Sequence, residues 1–132
     1  MDSRKRILII EDSESLKYVY SSLLSKHYEL RLCSDAIAGY NCLRNGYIPD
    51  LIILDLSLPV MNGVDFLQQI RASGFYRNIP VIVVSGKEEE TIVDQCETLG
   101  IQQFMEKPFD HHDLLKNITL AIQPQPQTIK WK

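Results

Sequence analysis

Residues 51–55 read Leu-Ile-Ile-Leu-Asp, four apolar side chains without interruption and then a carboxylate. A strand with one wet face interleaves polar residues, whereas an unbroken apolar run marks a strand covered on both faces. Two other stretches repeat the pattern. Residues 7–10 precede Glu11 and Asp12, and residues 81–84 precede Ser85. Two weaker candidates complete the set: Tyr28, Leu30 and Leu32 alternate with polar residues, and residues 101–105 follow the helix-ending Gly100.

Between these runs the period changes from strand to helix. Leu16, Val19, Tyr20, Leu23 and Leu24 recur at spacings of three and four, which puts one apolar stripe on a helix over 14–26. A second helix is predicted over 36–43, with Ser34 or Asp35 able to cap it and Gly46 to close it. Val64, Leu67 and Ile70, with Phe66 alongside, mark a third after Asn62-Gly63. A fourth runs over 88–99 and stops at Gly100. Asp110 caps a fifth that carries Leu114, Leu115, Ile118 and Ile122. Five β-α units predict an α/β fold, a doubly wound parallel sheet with helices on both faces. Short connections leave room for one domain, over 1–122. Residues 123–132 read QPQPQTIKWK, whose prolines and glutamines suit an extended tail or the start of a linker, with Trp131 able to dock on a surface.

Composition narrows the function classes. With 132 residues, 45% hydrophobic and 23% charged, the chain can bury a core without disulfide or metal staples. A net charge of -3 weighs against a nucleic-acid-binding surface, which needs clustered cations. Cys33, Cys42 and Cys96 are odd in number and lack paired metal-ligand spacing, so thiols in a reducing compartment are the simpler account. The first apolar run ends after four residues, too short for a secretory signal, and nothing approaches the ~20 apolar residues of a membrane span. The expectation is a cytoplasmic protein without membrane or direct nucleic-acid contact.

Open α/β sheets bind ligands outside the carboxyl ends of their strands. Glu11 and Asp12 follow the first strand, Asp55 the third, Ser85 the fourth and Lys107 the fifth. Crowded carboxylates raise one another's pKa values unless a cation compensates them. A hard dication with oxygen ligands does so, and magnesium suits carboxylates combined with phosphate and water. Lys107 can then pair with phosphate oxygens and Ser85 can donate a hydrogen bond. Acids at strand ends are often merely solvated, a reading that weakens when three acids, a hydroxyl and a lysine follow four different strands.

This ordered set resembles the receiver domain of two-component response regulators (the CheY-like receiver), over roughly residues 5–122. The resemblance rests on the pair Glu11-Asp12, the strand LIILD ending at Asp55, the loop LSLPVMNG, Ser85 at the end of VIVVS, and the turn Lys107-Pro108-Phe109. It implies the flavodoxin-like (βα)5 strand order 2-1-3-4-5. It also implies that Asp55 accepts phosphoryl, in a magnesium-dependent transfer, from a sensor histidine kinase or a histidine phosphotransfer protein. Asp12 would bind magnesium (manganese being the alternative), Glu11 directly or through water, and the Ser57 backbone carbonyl would add a ligand. Lys107 would hold the phosphate, and Pro108 would follow a cis peptide. Ser85 and Phe104 would form the switch, Phe104 by packing alone because it lacks a tyrosine's hydroxyl. Ser57 and Lys87 would tune the slow self-dephosphorylation.

The signal would emerge on the face of helix four, strand five and helix five, read by a downstream protein, an attached output domain or a phosphorylation-dependent homodimer. Turnover of a separate substrate is not expected. Glu88, Glu89 and Glu90 suit a helix N-terminus and make this face acidic. Adjacent His111 and His112 do not share a helical face, which argues against a metal pair. The runner-up is a receiver-like interaction module that is never phosphorylated. A flavin or nucleotide site is disfavoured, because the turn after the first strand is acidic and no G-x-G-x-x-G or Walker sequence occurs.

Overall fold

The computed structural model describes residues 4–123. Ten elements alternate along the chain: β1 (Arg6–Ile10), α1 (Glu14–Leu24), β2 (Glu29–Cys33), α2 (Ala36–Arg44), β3 (Leu51–Leu54), α3 (Gly63–Ala72), β4 (Val81–Ser85), α4 (Glu90–Leu99), β5 (Gln103–Glu106) and α5 (His111–Ile122). The five strands form one parallel sheet in the order β2-β1-β3-β4-β5. This is the expected (βα)5 arrangement.

The unbroken apolar runs are explained by what they feed. Successive side chains of a strand point to opposite faces. Leu8, Ile10, Ile52, Leu54, Val81 and Val83 enter one core with Phe66, Leu67, Ile70 and Cys96, from α3 and α4. Ile7, Ile9, Leu51, Ile53, Ile82 and Val84 enter the other with Tyr20 and Leu24 of α1 and Leu114 and Ile118 of α5. A polar residue within the runs 7–10, 51–54 or 81–84 would be stranded on one face or the other. The edge strand β2 is less demanding, and Leu32 there is exposed although it continues the alternation of Tyr28 and Leu30.

Four helices begin on side-chain caps: Ser13 accepts from Leu16 N–H, Asp35 from Ala38, Asn62 from Asp65, and Asp110 from His112 and Asp113. Asp35, not Ser34, is therefore the cap of α2. Several predicted boundaries move, α2 and β5 each running one residue further than expected, to Arg44 and Glu106. Helix α1 ends at Leu24, two residues short; α4 starts at Glu90, with Glu89 as an N-cap that makes no side-chain hydrogen bond; and β5 starts at Gln103 rather than at 101. Gly100 ends α4 at φ 97°, a left-handed value that costs other residues strain.

The order of strands positions the site. The chain leaves β1 outward to β2, then returns to lay β3 on the opposite side of β1, so the crevice between β1 and β3 opens at their carboxyl ends. Ile10 pairs with Leu54, which brings the following Glu11 and Asp55 side by side. Gly63 seals the floor of this corner, since a Cβ there would lie 2.5 Å from the Asp55 carbonyl oxygen and 2.7 Å from Leu56 Cα. Among the described residues no helix is long and apolar enough to cross a membrane. Trp131 and the rest of 124–132 lie outside the described residues.

Candidate functional site at the strand carboxyl ends

Asp55 stands at the centre, 3% exposed. Its backbone N–H donates to the Ile10 carbonyl at 3.1 Å, continuing the β1-β3 ladder one step past the strand and holding the side chain at the mouth of the crevice. Oδ1 accepts from the Ser57 backbone N–H at 3.1 Å and faces Ser85 Oγ at 3.3 Å. Oδ2 accepts from Lys107 Nζ at 3.2 Å.

Glu11 and Asp12 divide their labour. Glu11 is 1% exposed, and its Oε2 accepts from the Ser13 N–H at 3.0 Å, the same serine that caps α1. Its Oε1 is buried without a well-formed hydrogen bond and pairs as an ion with Lys107 Nζ at 2.9 Å. Burial drives the Glu11 carboxyl above the ordinary carboxylate range, and the Asp55 charge pushes the same way against Lys107 and the Ser13 N–H. Asp12 points outward to solvent. One oxygen from each of Glu11, Asp12 and Asp55 lies within 4.8 Å of the others.

Lys107 ties the acids together from β5. Its backbone N–H donates to the Ser85 carbonyl at 2.7 Å, and the Lys107-Pro108 peptide is cis, as the turn suggested. Burial alone would lower the ammonium pKa, but Glu11 and Asp55 outweigh it and the pKa rises. Tyr20, a member of the α1 apolar stripe, also senses this corner: burial and then the charges of Glu11 and Asp55 push its hydroxyl well above the usual tyrosine range.

Three carboxylates facing one ammonium leave a negative excess. That excess fits a hard dication, which Glu11, Asp12 and Asp55 could hold with carboxylate oxygens. The arrangement suits chemistry in which an anion arrives at Asp55 and needs cationic neighbours.

The other residues singled out in the sequence are near but distinct. Ser57 contributes its backbone N–H to Asp55 while its side chain is exposed, and Lys87 is exposed on the β4-α4 loop. Phe104 pairs with Val83 in the sheet and is half-buried against the core under α3 and α4. Glu88 was read only as one of three acids at a helix start. It lies before α4, and its Oε2 accepts from Ser85 Oγ at 2.9 Å. Four residues separate Ser85 from the start of α4, and that spacing carries no direction.

Comparison with known proteins agrees with this geometry. The response regulator receiver domain family matches residues 7–119. The chain is 30% identical to protein PilH of Pseudomonas aeruginosa over 117 residues, covering 89% of this chain and 97% of PilH. The receiver domain protein (CheY-like) of Methanospirillum hungatei superposes with a TM-score of 0.84 at 25% identity, covering 91% of this chain and 94% of the other. The manganese-bound form of response regulator Rcp1 superposes at 0.76 with 28% identity and 89% coverage of each. Some curated relatives are far longer: the chain spans 7% and 12% of two histidine kinases that it matches.

The chain belongs to the response regulator receiver domain family of two-component signal transduction. It is a phosphoacceptor domain whose cluster of Glu11, Asp12 and Asp55 is poised for metal-assisted phosphoryl transfer.

Proposed function

We propose that Asp55 is the phosphoacceptor and that it takes its phosphoryl group from the phosphohistidine of a cognate sensor kinase or histidine phosphotransfer protein. The observation that carries this reading is the buried Asp55 carboxylate, flanked by Lys107 at 3.2 Å and Ser85 at 3.3 Å and within one cation's reach of Glu11 and Asp12. An Asp55 oxygen forms the bond to phosphorus as the donor's P–N bond breaks, giving an acyl phosphate; the bonding pair stays on the imidazole nitrogen, which takes a proton from solvent.

Magnesium, with manganese as the alternative, supplies positive charge beside the transferring oxygens when bound. Glu11, Asp12 and Asp55 would hold it with carboxylate oxygens, and the Ser57 carbonyl would add a further ligand. Lys107 changes partner: an ammonium shared between Glu11 and Asp55 in the resting site is available to a phosphoryl oxygen once Asp55 is phosphorylated. Water attack at phosphorus returns the domain to rest, with the exposed Ser57 and Lys87 side chains tuning access.

Ser85 and Phe104 relay the change to the α4-β5-α5 face. Phe104 borders a groove of about 420 Å³ that also involves Met105, Lys116 and Asn117. That groove is the place for a downstream protein, an attached output domain or a second copy of the chain. The receiver unit occupies 1–122.

Acetyl phosphate with magnesium tests the reading. Intact mass is expected to show one added phosphoryl group on wild type and none on Asp55→Asn. Labelling that survives in Asp55→Asn overturns it.

A further inference from the structure

The β4-α4 loop carries a carboxylate that the phosphoacceptor chemistry does not use. Ser85 has one hydroxyl proton and two carboxylates to receive it, Glu88 Oε2 at 2.9 Å and Asp55 Oδ1 at 3.3 Å. A hydroxyl cannot donate fully to both. Only the Glu88 distance falls within the ordinary O–H···O range of about 2.5–3.0 Å, so at rest the Ser85 hydroxyl donates to Glu88. Ser85 is fully buried, which leaves its hydroxyl no bulk water as a substitute partner.

The position of Glu88 supports a dedicated contact. Helix α4 begins two residues later, so Glu88 is outside its first turn and is not engaged in capping it. Its side chain turns back over the end of β4 and borders a cleft of about 270 Å³ shared with Leu56, Ser57 and Asn62, next to the Asp55 loop.

We propose that Glu88 is a positioning residue that holds the Ser85 hydroxyl in its resting orientation, so that phosphorylation must break the Ser85–Glu88 hydrogen bond. The inference rests on Asp55 as phosphoacceptor. A phosphoryl group on Asp55 brings about -1.5 to -2 charge and strong acceptors to the far side of the same hydroxyl. Ser85 then has two anionic claimants, and the carboxylate of Glu88 competes for the one proton that the phosphoryl group needs. Glu88 therefore biases the domain towards its resting state, and it sets how much phosphodonor is required to leave that state.

The test measures the acetyl phosphate concentration that half-occupies Asp55 at steady state, by intact mass with magnesium present. In Glu88→Ala it is expected to fall roughly fivefold to tenfold, the scale of an ordinary lost hydrogen bond. Glu88→Gln, which keeps an acceptor without the charge, should fall in between, and it carries the test if the alanine variant does not fold. In a Ser85→Ala background, replacing Glu88 should change the half-point by less than about twofold, because the shared proton is gone. An unchanged half-point in Glu88→Ala overturns the proposal. So does an equal gain with and without Ser85, which would make Glu88 a remote charge only. Wild type that takes up no phosphoryl group overturns the Asp55 reading and this one with it, whereas labelled wild type with an unaltered variant overturns the role of Glu88 alone.

Discussion

Helices α4 and α5 flank the same edge of the sheet, yet they are held very differently. Helix α5 starts on Asp110, whose carboxylate accepts from two backbone N–H groups, and it buries Leu114, Ile118 and Ala121. Helix α4 starts on Glu89 without a side-chain cap and fully buries Cys96 alone. The acid just upstream, Glu88, is occupied with Ser85. Helix α5 is anchored by three buried side chains, whereas α4 fully buries one, packs Ile92 and Leu99 only partly, and is preceded by a residue hydrogen-bonded to Ser85 beside Asp55. The lesson is where a signal can go: an element held by few apolar contacts costs little to move, and the residue preceding this one is bonded in the site.

Mutations can break this contrast. Leu114→Ala in α5 should cost about 2–5 kcal/mol, the range for emptying a packed leucine site. Ile92→Ala in α4, where the side chain is only half-buried, should cost about 1 kcal/mol. Urea midpoints compare the two, and equal losses would mean that α4 is as firmly anchored as α5.

A smaller shift is expected at the acidic corner, and its sign depends on metal. The folded pKa of Glu11 lies above its ordinary value through burial and the Asp55 charge, so ionising Glu11 opposes folding. Its contribution is most favourable below the ordinary carboxylate pKa and is lost as pH rises through the folded value. Glu11→Gln should therefore raise the Tm of the metal-free protein at pH 7 and lower it relative to wild type when magnesium saturates the site. Melting curves with a chelator and with magnesium provide both arms, and a variant indifferent to magnesium relative to wild type would contradict the assigned ligand.

The smallest effect sharpens the comparison rather than breaking it. Glu89→Ser gives α4 the cap it lacks and should stabilise the fold by roughly 0.5–1 kcal/mol. Hydrogen exchange at the start of α4 should slow more than exchange in α5. Uniform slowing would show that the missing cap is not what distinguishes the two helices.

Much of this architecture was legible in the chain itself. The apolar runs of β1, β3 and β4 are unbroken because each strand feeds two cores, and Asp35, Asn62 and Asp110 stand where helix starts need acceptors. The edges were less legible. Leu32 alternates with polar residues but is exposed on an edge strand, and Glu88 and Glu89 look helical in a run of acids although α4 waits for Glu90. Local pattern does not report which stretch of a loop is claimed by a distant side chain.

The order of apolar runs, caps and strand-ending acids by itself determined a parallel α/β sheet with an anionic crevice, because periodicity and chain connectivity are local properties. Only the tertiary structure decided that Glu11 is buried while the neighbouring Asp12 faces solvent, that Lys107 bridges two acids, and that the Ser85 hydroxyl donates to Glu88. Those outcomes depend on ångström differences between groups far apart in the chain, and electrostatic energies in a buried corner are decided at that scale.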